Sequence, residues 1–340
     1  LNCLQRGQVG LAKLYLLLLG FRLLVESRGA VGSFLAGNLL ALPIVLKITP
    51  LMIVGYVMVE QFVSAWRSPV RSQAMVRAAN LAAGTACGLV LGVLLIPAMF
   101  VGWQANLDHL ETWRRVMANA QNSADDGLAG DNYSVRNQSL DNAVRRFGNW
   151  ADYCFAGGPF DEGGPPDAYG YRGLIMDRPL TQHVLSVVRL LEGCLMLAVA
   201  YRVGRNGGPM GHALVFGLAC ASTLVLGPIA RGHYFMLQLP AVMYVGTWLA
   251  VRQRPIMARA AALIPTALIM AHFILLGFAG RIGLLGIGTA VWFTWAALSV
   301  LWLTRQAASC GDEHDRRPDA DVSTPHAFAI HHRRQHGATH

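Results

Sequence analysis

Lysine is nearly absent from this 340-residue chain: only two of its 28 Lys and Arg residues are lysine. Charge of any kind is scarce, at 14%, against about 25% in a soluble domain. With 54% hydrophobic residues and a mean hydropathy of +0.40, that shortage excludes an ordinary soluble fold. Paired cysteines are missing too. Cys87, Cys194 and Cys220 lie in apolar stretches, Cys3 and Cys310 lie near the ends, and Cys154 stands alone in a long polar segment, so no disulfide framework is expected. Soluble-enzyme signatures are absent: there is no G-x-x-x-x-G-K-[ST], no nucleophile elbow, no H-E-x-x-H and no C-x-x-C. Gly283, Gly286 and Gly288 lie in an apolar span and make no dinucleotide fingerprint. No internal repeat, inverted or parallel, is evident, which counts against many transporter folds.

What is there is a series of apolar runs. Stretches of roughly 20 such residues predict membrane helices at 79–102, 184–203, 212–229, 233–251, 260–278 and 282–303, with a shorter one at 11–25. The region 30–63 is long for one span and short for two. Pro43 and Pro50 interrupt it around Lys47, and proline removes a backbone donor. Two short or tilted helices meeting near Lys47 are therefore expected. The fold class that follows is an all-α polytopic bundle of about seven to eight membrane segments. One domain covers 1–303, and a polar, disordered cytoplasmic tail covers 304–340. Four tail histidines, His331, His332, His336 and His340, show no metal-ligand spacing.

Arginine sets the sidedness. The net charge of +9 sits in short segments between apolar runs and in the tail: Arg67, Arg71 and Arg77; Arg202 and Arg205; Arg252, Arg254 and Arg259; Arg305. That pattern marks cytoplasmic loops rather than a nucleic-acid surface. The polar segment 103–182 then lies on the extracytoplasmic side. Its eleven carboxylates outnumber its seven arginines, and long loops translocate regardless of charge. With two helices in 30–63, Gln8 and Lys47 share that side.

Several polar residues stand out. Lys47, in an apolar setting between two prolines, is costly unless it meets a cavity or an anion, and a compact ammonium suits phosphate. A lysine snorkelling from a helix end to the interface is the plainer alternative. In the loop, Asn137, Gln138, Ser139, Arg145 and Arg146 combine amides that can fix hydroxyls with guanidiniums that can grip phosphate. The same stretch also reads as a polar turn carrying sequons at Asn132 and Asn137. Gly227, Pro228 and Gly232 make a tight break before His233 and Tyr234. His233 suits phosphate binding or acid–base work near neutral pH, or simple capping. Arg189 and Glu192, three apart in an apolar span, read as a structural ion pair.

These pieces, in this order, resemble glycosyltransferase family 87, integral-membrane enzymes of the GT-C type that use polyprenyl-phosphate sugars. Arg6-Gly7-Gln8-Val9 is similar to the family's G-Q-x-N segment, with Gly10 in place of Asn. Lys47-Ile48-Thr49-Pro50-Leu51 is similar to its K-x-x-P-L motif. Asn137-Gln138-Ser139-Leu140 with Arg145-Arg146 is similar to N-Q-S-L-x(4)-R-R. Gly227-Pro228-Ile229-Ala230-Arg231-Gly232-His233-Tyr234 is similar to S-P-I-x-W-x-H-Y, with Gly227 for Ser and Arg231 for Trp. The resemblance covers roughly residues 5–250.

It implies a GT-C-like bundle in the cell membrane that moves a hexose or pentose, mannose-like, from a polyprenyl-phosphate donor to a lipid or glycan acceptor. Lys47, Arg145 and His233 would hold the donor phosphate, with His233 a possible acid or base. Gln8, Asn137, Gln138, Ser139 and Tyr234 would contact sugar or acceptor. No metal or other cofactor is expected, because cations already face the leaving phosphate. The GT-C catalytic carboxylate lies in the first extracytoplasmic loop, which would precede Leu1. The chain opens without Met or a visible signal peptide, and reads as the C-terminal part of a longer protein. The rival readings are a transporter or flippase for an anionic or lipid-linked substrate, and a non-catalytic membrane scaffold.

Overall fold

A computed structural model of the chain describes residues 10–27, 29–119, 140, 143–144, 178–206, 208–227, 232–275 and 284–315. Among these residues there is no strand. The helices are α1 (Gly10–Glu26), α2 (Ala30–Leu46), α3 (Pro50–Arg67), α4 (Arg71–Leu89), α5 (Ile96–Val101), α6 (Trp103–Asn119), α7 (Arg178–Asn206), α8 (Pro209–Leu226), α9 (Gln238–Val251), α10 (Pro255–Ile274) and α11 (Leu284–Asp315). A π-helical segment, Val90–Leu95, joins α4 to α5, and a 3-10 helix, Gly232–Leu237, precedes α9.

Five described helices are long and apolar enough to cross a membrane: Arg71–Val101, His183–Arg205, Pro209–Leu226, Pro255–His272 and Leu284–Gln306. Ala30–Leu46 and Phe235–Val251 are shorter apolar helices. Their outward faces carry large hydrocarbon side chains: Phe100 is 84% exposed, Ile256 81% and Leu190 66%. A water-facing surface of that kind would be unstable, whereas lipid solvates it. The chain is a helical membrane protein.

Packing fixes the direction of each helix. Gly20 on α1 lies against Leu40 on α2, and Gly32 near the start of α2 lies against Ser27 just after α1, so the two run antiparallel. Along α4, Gly84 meets Phe34, Gly88 meets Asn38 and Ala41, and Gly92 meets Val45, so α2 and α4 run parallel. Gly193 and Gly204 on α7 meet Tyr56 and Glu60 in that order, which makes α3 and α7 parallel. Gly217 on α8 packs on Pro240 and Ala241 of α9. The α2–α4 contact is the closest. A methyl at Gly37 would overlap backbone atoms of Leu81 and Thr85, and one at Gly84 would overlap the Phe34 backbone. Small residues let membrane helices approach this far. Between α1 and α8, Phe21 stacks on Phe216 with ring centroids 4.3 Å apart, worth about 0.5–1.5 kcal/mol beyond burial.

The alternation leaves one end of the bundle rich in arginine, with Arg67, Arg71, Arg77, Arg202, Arg205, Arg252 and Arg254. The other end carries the start of α1, the α2–α3 break, the exit of α5 towards α6 and the entry to α7. We call these the arginine end and the loop end. Lys47 lies at the end that carries these entries and exits; Gln8, Asn137 and most of the polar loop, expected at the same end, lie outside the described residues.

Some expectations shift. The helix expected at 79–102 begins at Arg71, because its first turns are polar yet helix-compatible, and hydropathy does not register them. The segment 103–182, expected to be a long loop, opens with a helix, α6. The tail expected to be disordered from 304 is helical as far as Asp315.

Candidate functional site

At the loop end the chain breaks where the sequence expects. α2 ends at Leu46, Lys47 is extended (φ −164, ψ 133), and α3 starts at Pro50. Proline at the first helical position loses no hydrogen bond and is preset for the helix. Pro43, by contrast, does not break α2 but sits inside it. The Pro43 carbonyl accepts a hydrogen bond from the Lys47 backbone N–H at 3.0 Å, which closes the last turn. Lys47 is half-buried.

Three further elements lie at this end of the bundle. The π-helical segment brings Gly92 against Val45, two residues before Lys47. Such segments leave carbonyls out of the regular ladder and often occur at functional sites. Here Asn106 on α6 resolves them: its Nδ2 donates to the carbonyls of Val93 at 3.1 Å and Leu94 at 3.2 Å. The reversal that allows this turns on Gly102, whose φ of +88 favours glycine. Asn106 is 5% exposed. The second element is the 3-10 helix Gly232–Leu237, which packs on α1, α8 and α9 and carries His233 and Tyr234 in its backbone. The expected span at 233–251 therefore opens with a 3-10 turn, and its α-helix starts at Gln238. The third is the first turn of α1, where Lys13 is 5% exposed.

Of the sequence-predicted residues, the structure brings Lys47 and the backbone of the His233 segment to the same end. Gln8, Asn137, Gln138, Ser139, Arg145 and Arg146 lie outside the described residues, as do the side chains of His233 and Tyr234. Among the described residues no three His, Cys, Asp or Glu side chains converge on one point. An apolar cleft of about 690 Å³ runs between α10 and α11, lined by residues that include Ile264, Leu268, Ile287 and Trp295. Lys47, the predicted site residue whose side chain is described, does not line it.

Sequence reasoning missed two polar clusters. The first lies at the arginine end, where Glu60 on α3 is 1% exposed. His212 Nδ1 on α8 lies 2.7 Å from Glu60 Oε1, and Gln61 Nε2 donates to Oε2 at 2.9 Å. Gln61 Nε2 also lies 3.1 Å from His212 Nδ1, so Glu60, Gln61 and His212 form one cluster. A lone carboxylate in the apolar run 50–65 was the available signal. The second is Glu192, 7% exposed on α7. The Thr294 hydroxyl on α11 donates to its Oε1. The expectation of an Arg189–Glu192 pair misses this contact between helices. At the loop end, Lys13 escaped attention although it is the only lysine besides Lys47.

Outside the spans, Arg114 and Arg115 on α6 hydrogen-bond Glu111 and hold its carboxyl down at about 2. No family model, no curated protein and no solved structure matches this chain.

Proposed function

We propose that this protein is a multi-pass membrane glycosyltransferase, GT-C-like, that transfers a hexose or pentose from a polyprenyl phosphate to an acceptor at the extracytoplasmic face. The observation that carries the reading is the α2–α3 break at Lys47. A half-buried cation stands on non-helical backbone in an apolar hairpin, at the same end as the entry and exit of the long loop. Irregular backbone at membrane depth belongs where it lines a cavity, and a lysine there suits a phosphate. The four family-87-like motifs supply the sugar chemistry of this reading.

In this scheme the donor's phosphate meets Lys47 at the loop end and its tail lies in lipid between helices. As the glycosidic bond to phosphate breaks, negative charge grows on the leaving phosphate. A preplaced ammonium stabilises that charge without reorganising. Arg145 and His233 share the task, and Gln8, Asn137, Gln138, Ser139 and Tyr234 orient sugar or acceptor.

The test uses membranes carrying the full-length protein and a radiolabelled polyprenyl-phosphate hexose or pentose. Label should pass to a lipid or glycan acceptor. Lys47→Ala should cut turnover by roughly tenfold or more, with normal insertion, and Lys47→Arg should restore only part. Wild-type turnover in Lys47→Ala would reject this role for Lys47. Failure to transfer any such sugar would reject the reaction.

The transporter reading keeps one specific observation in its favour. Glu60 and His212 form a buried acid–base pair at the arginine end, as a proton-coupled carrier would need. Deleting residues 103–182 separates the two: transfer requires the loop, whereas a carrier retains binding of its anion without it.

A further inference from the structure

The long polar segment begins with a helix whose two faces differ. Along α6, Trp103, Asn106, Leu107, Leu110 and Trp113 recur at intervals of three and four, which puts them on one face. Gln104, Asp108, Thr112 and Arg115 recur in the same way on the opposite face. That polar face is tied to itself. Gln104 Nε2 donates to Asp108 Oδ1 at 3.3 Å, and the Thr112 hydroxyl donates to the Asp108 carbonyl at 2.9 Å.

Asn106 shows which way the apolar face points. Among the described side chains of α6 it alone is buried, against the carbonyls of Val93 and Leu94 at the loop end of the bundle. Leu110 lies four residues further on and Trp113 seven, so both continue the face that meets the bundle. Among the described elements, α6 packs mainly on α5 and the π-helical segment. Away from Asn106 its apolar face is open: Trp103 is 53% exposed, Trp113 49%, and Leu107 is exposed too. The surface it continues already faces lipid, because Met99, Phe100 and Val101 stand exposed at the end of α5, just before the reversal at Gly102.

In water, α6 would add two indoles and a leucine to that hydrocarbon patch. At a membrane surface the same residues are well placed, since an indole sinks its ring in lipid and keeps its N–H near the headgroups. Charge does not draw the helix there. Asp108 and Glu111 are balanced by Arg114 and Arg115. Arg114 falls beside the apolar face, but its guanidinium reaches back to Glu111 at the polar edge, at 2.7 and 2.8 Å.

We propose that α6 is an interfacial helix, its Trp103, Leu107, Leu110 and Trp113 face sunk in the lipid around the loop end and its Gln104, Asp108 and Thr112 face in water. It fastens the start of the long polar segment to the membrane surface beside the π-helical segment. Apolar burial rather than charge holds it, so a zwitterionic bilayer suffices. The anchor goes beyond the glycosyltransferase reading and does not depend on it.

The experiment uses the full-length protein in phosphatidylcholine nanodiscs, with its six native cysteines replaced and one spin label at a time. Leu107→Cys, Leu110→Cys and Trp113→Cys probe one face; Gln104→Cys, Asp108→Cys and Thr112→Cys probe the other. Phe100→Cys, on the lipid-facing end of α5, is the reference for an inserted bundle. Power saturation compares oxygen, which partitions into lipid, with a water-soluble nickel chelate. Labels at 107, 110 and 113 should read a depth of about 5–10 Å into the headgroup and acyl boundary. Labels at 104, 108 and 112 should favour the nickel chelate.

Nickel access at all six positions would overturn the proposal, because α6 then stands in water. Shielding of 107, 110 and 113 from oxygen and nickel alike would also overturn it, because protein rather than lipid then covers the face. A lipid signal that appears only when anionic lipid is added would overturn apolar burial as the anchor.

Discussion

His212 Nδ1 sits 2.7 Å from the Oε1 of Glu60, tying α8 to α3 across 152 positions of sequence at the arginine end. Glu60 is 1% exposed, so its partners rather than water solvate it. Removing one partner of such a pair costs more than replacing both, because a buried charge is left behind.

That asymmetry gives an expected order of stability. His212→Ala should lower the melting temperature in detergent more than Glu60→Leu. The loss should be on the order of 2–4 kcal/mol, and His212→Ala/Glu60→Leu should recover part of it. Thermal unfolding of the four proteins completes the cycle. Equal, additive losses would mean that the two residues do not interact.

The α2–α4 contact has no room for a side chain at Gly84. Gly84→Val should destabilise by about 1–3 kcal/mol or more, since backbone rather than a flexible side chain must move. Gly55→Ala, whose added methyl would meet nothing within 4 Å, is the control. It should stay near wild type or gain slightly from helix propensity. A Gly84→Val protein with wild-type stability would show that α2 and α4 pack more loosely than described.

Glu111 offers a pH test outside the spans. Hydrogen bonds from Arg114 and then Arg115 lower its carboxyl from 4.5 to about 2. A folded value below the unfolded one stabilises α6 above pH 4.5, and the contribution fades as pH falls towards 2. The group is exposed and the ion pairs are i,i+3 and i,i+4, so the effect is small and salt-sensitive. NMR titration of a peptide covering α6 should show a Glu111 midpoint well below that of the same peptide with Arg114→Gln and Arg115→Gln. An unchanged midpoint would dismiss the ion pairs.

Sidedness can be read chemically. In a protein with its six native cysteines replaced, single cysteines at positions 8, 47, 137 and 233 should react with an impermeant maleimide added outside intact cells. A cysteine at position 205 should react only after permeabilisation. Labelling of position 47 solely from the cytoplasm would invert the assignment of both ends.

Composition alone determined that this is a helical membrane protein, and arginine placement set the expectation of which helix ends share a side, which the labelling above tests. Apolar length and charge asymmetry are one-dimensional signals, and lipid reads them in one dimension. The break at Lys47 was legible too, because Pro50 suits a first helical turn wherever it stands. Pro43 was misread as a breaker. Inside a membrane helix its missing hydrogen bond is tolerated, and only the packed hairpin shows that α2 runs through it.

The rest needed three dimensions. Nothing local to Asn106 says that its amide will meet the carbonyls of Val93 and Leu94, because that depends on the reversal at Gly102. Nothing near Glu60 announces His212. Those pairings follow from helix register, and register is set where Gly20, Gly37 and Gly84 let backbones touch. Sequence supplied the polar residues, and the close approach of the helices decided which of them meet.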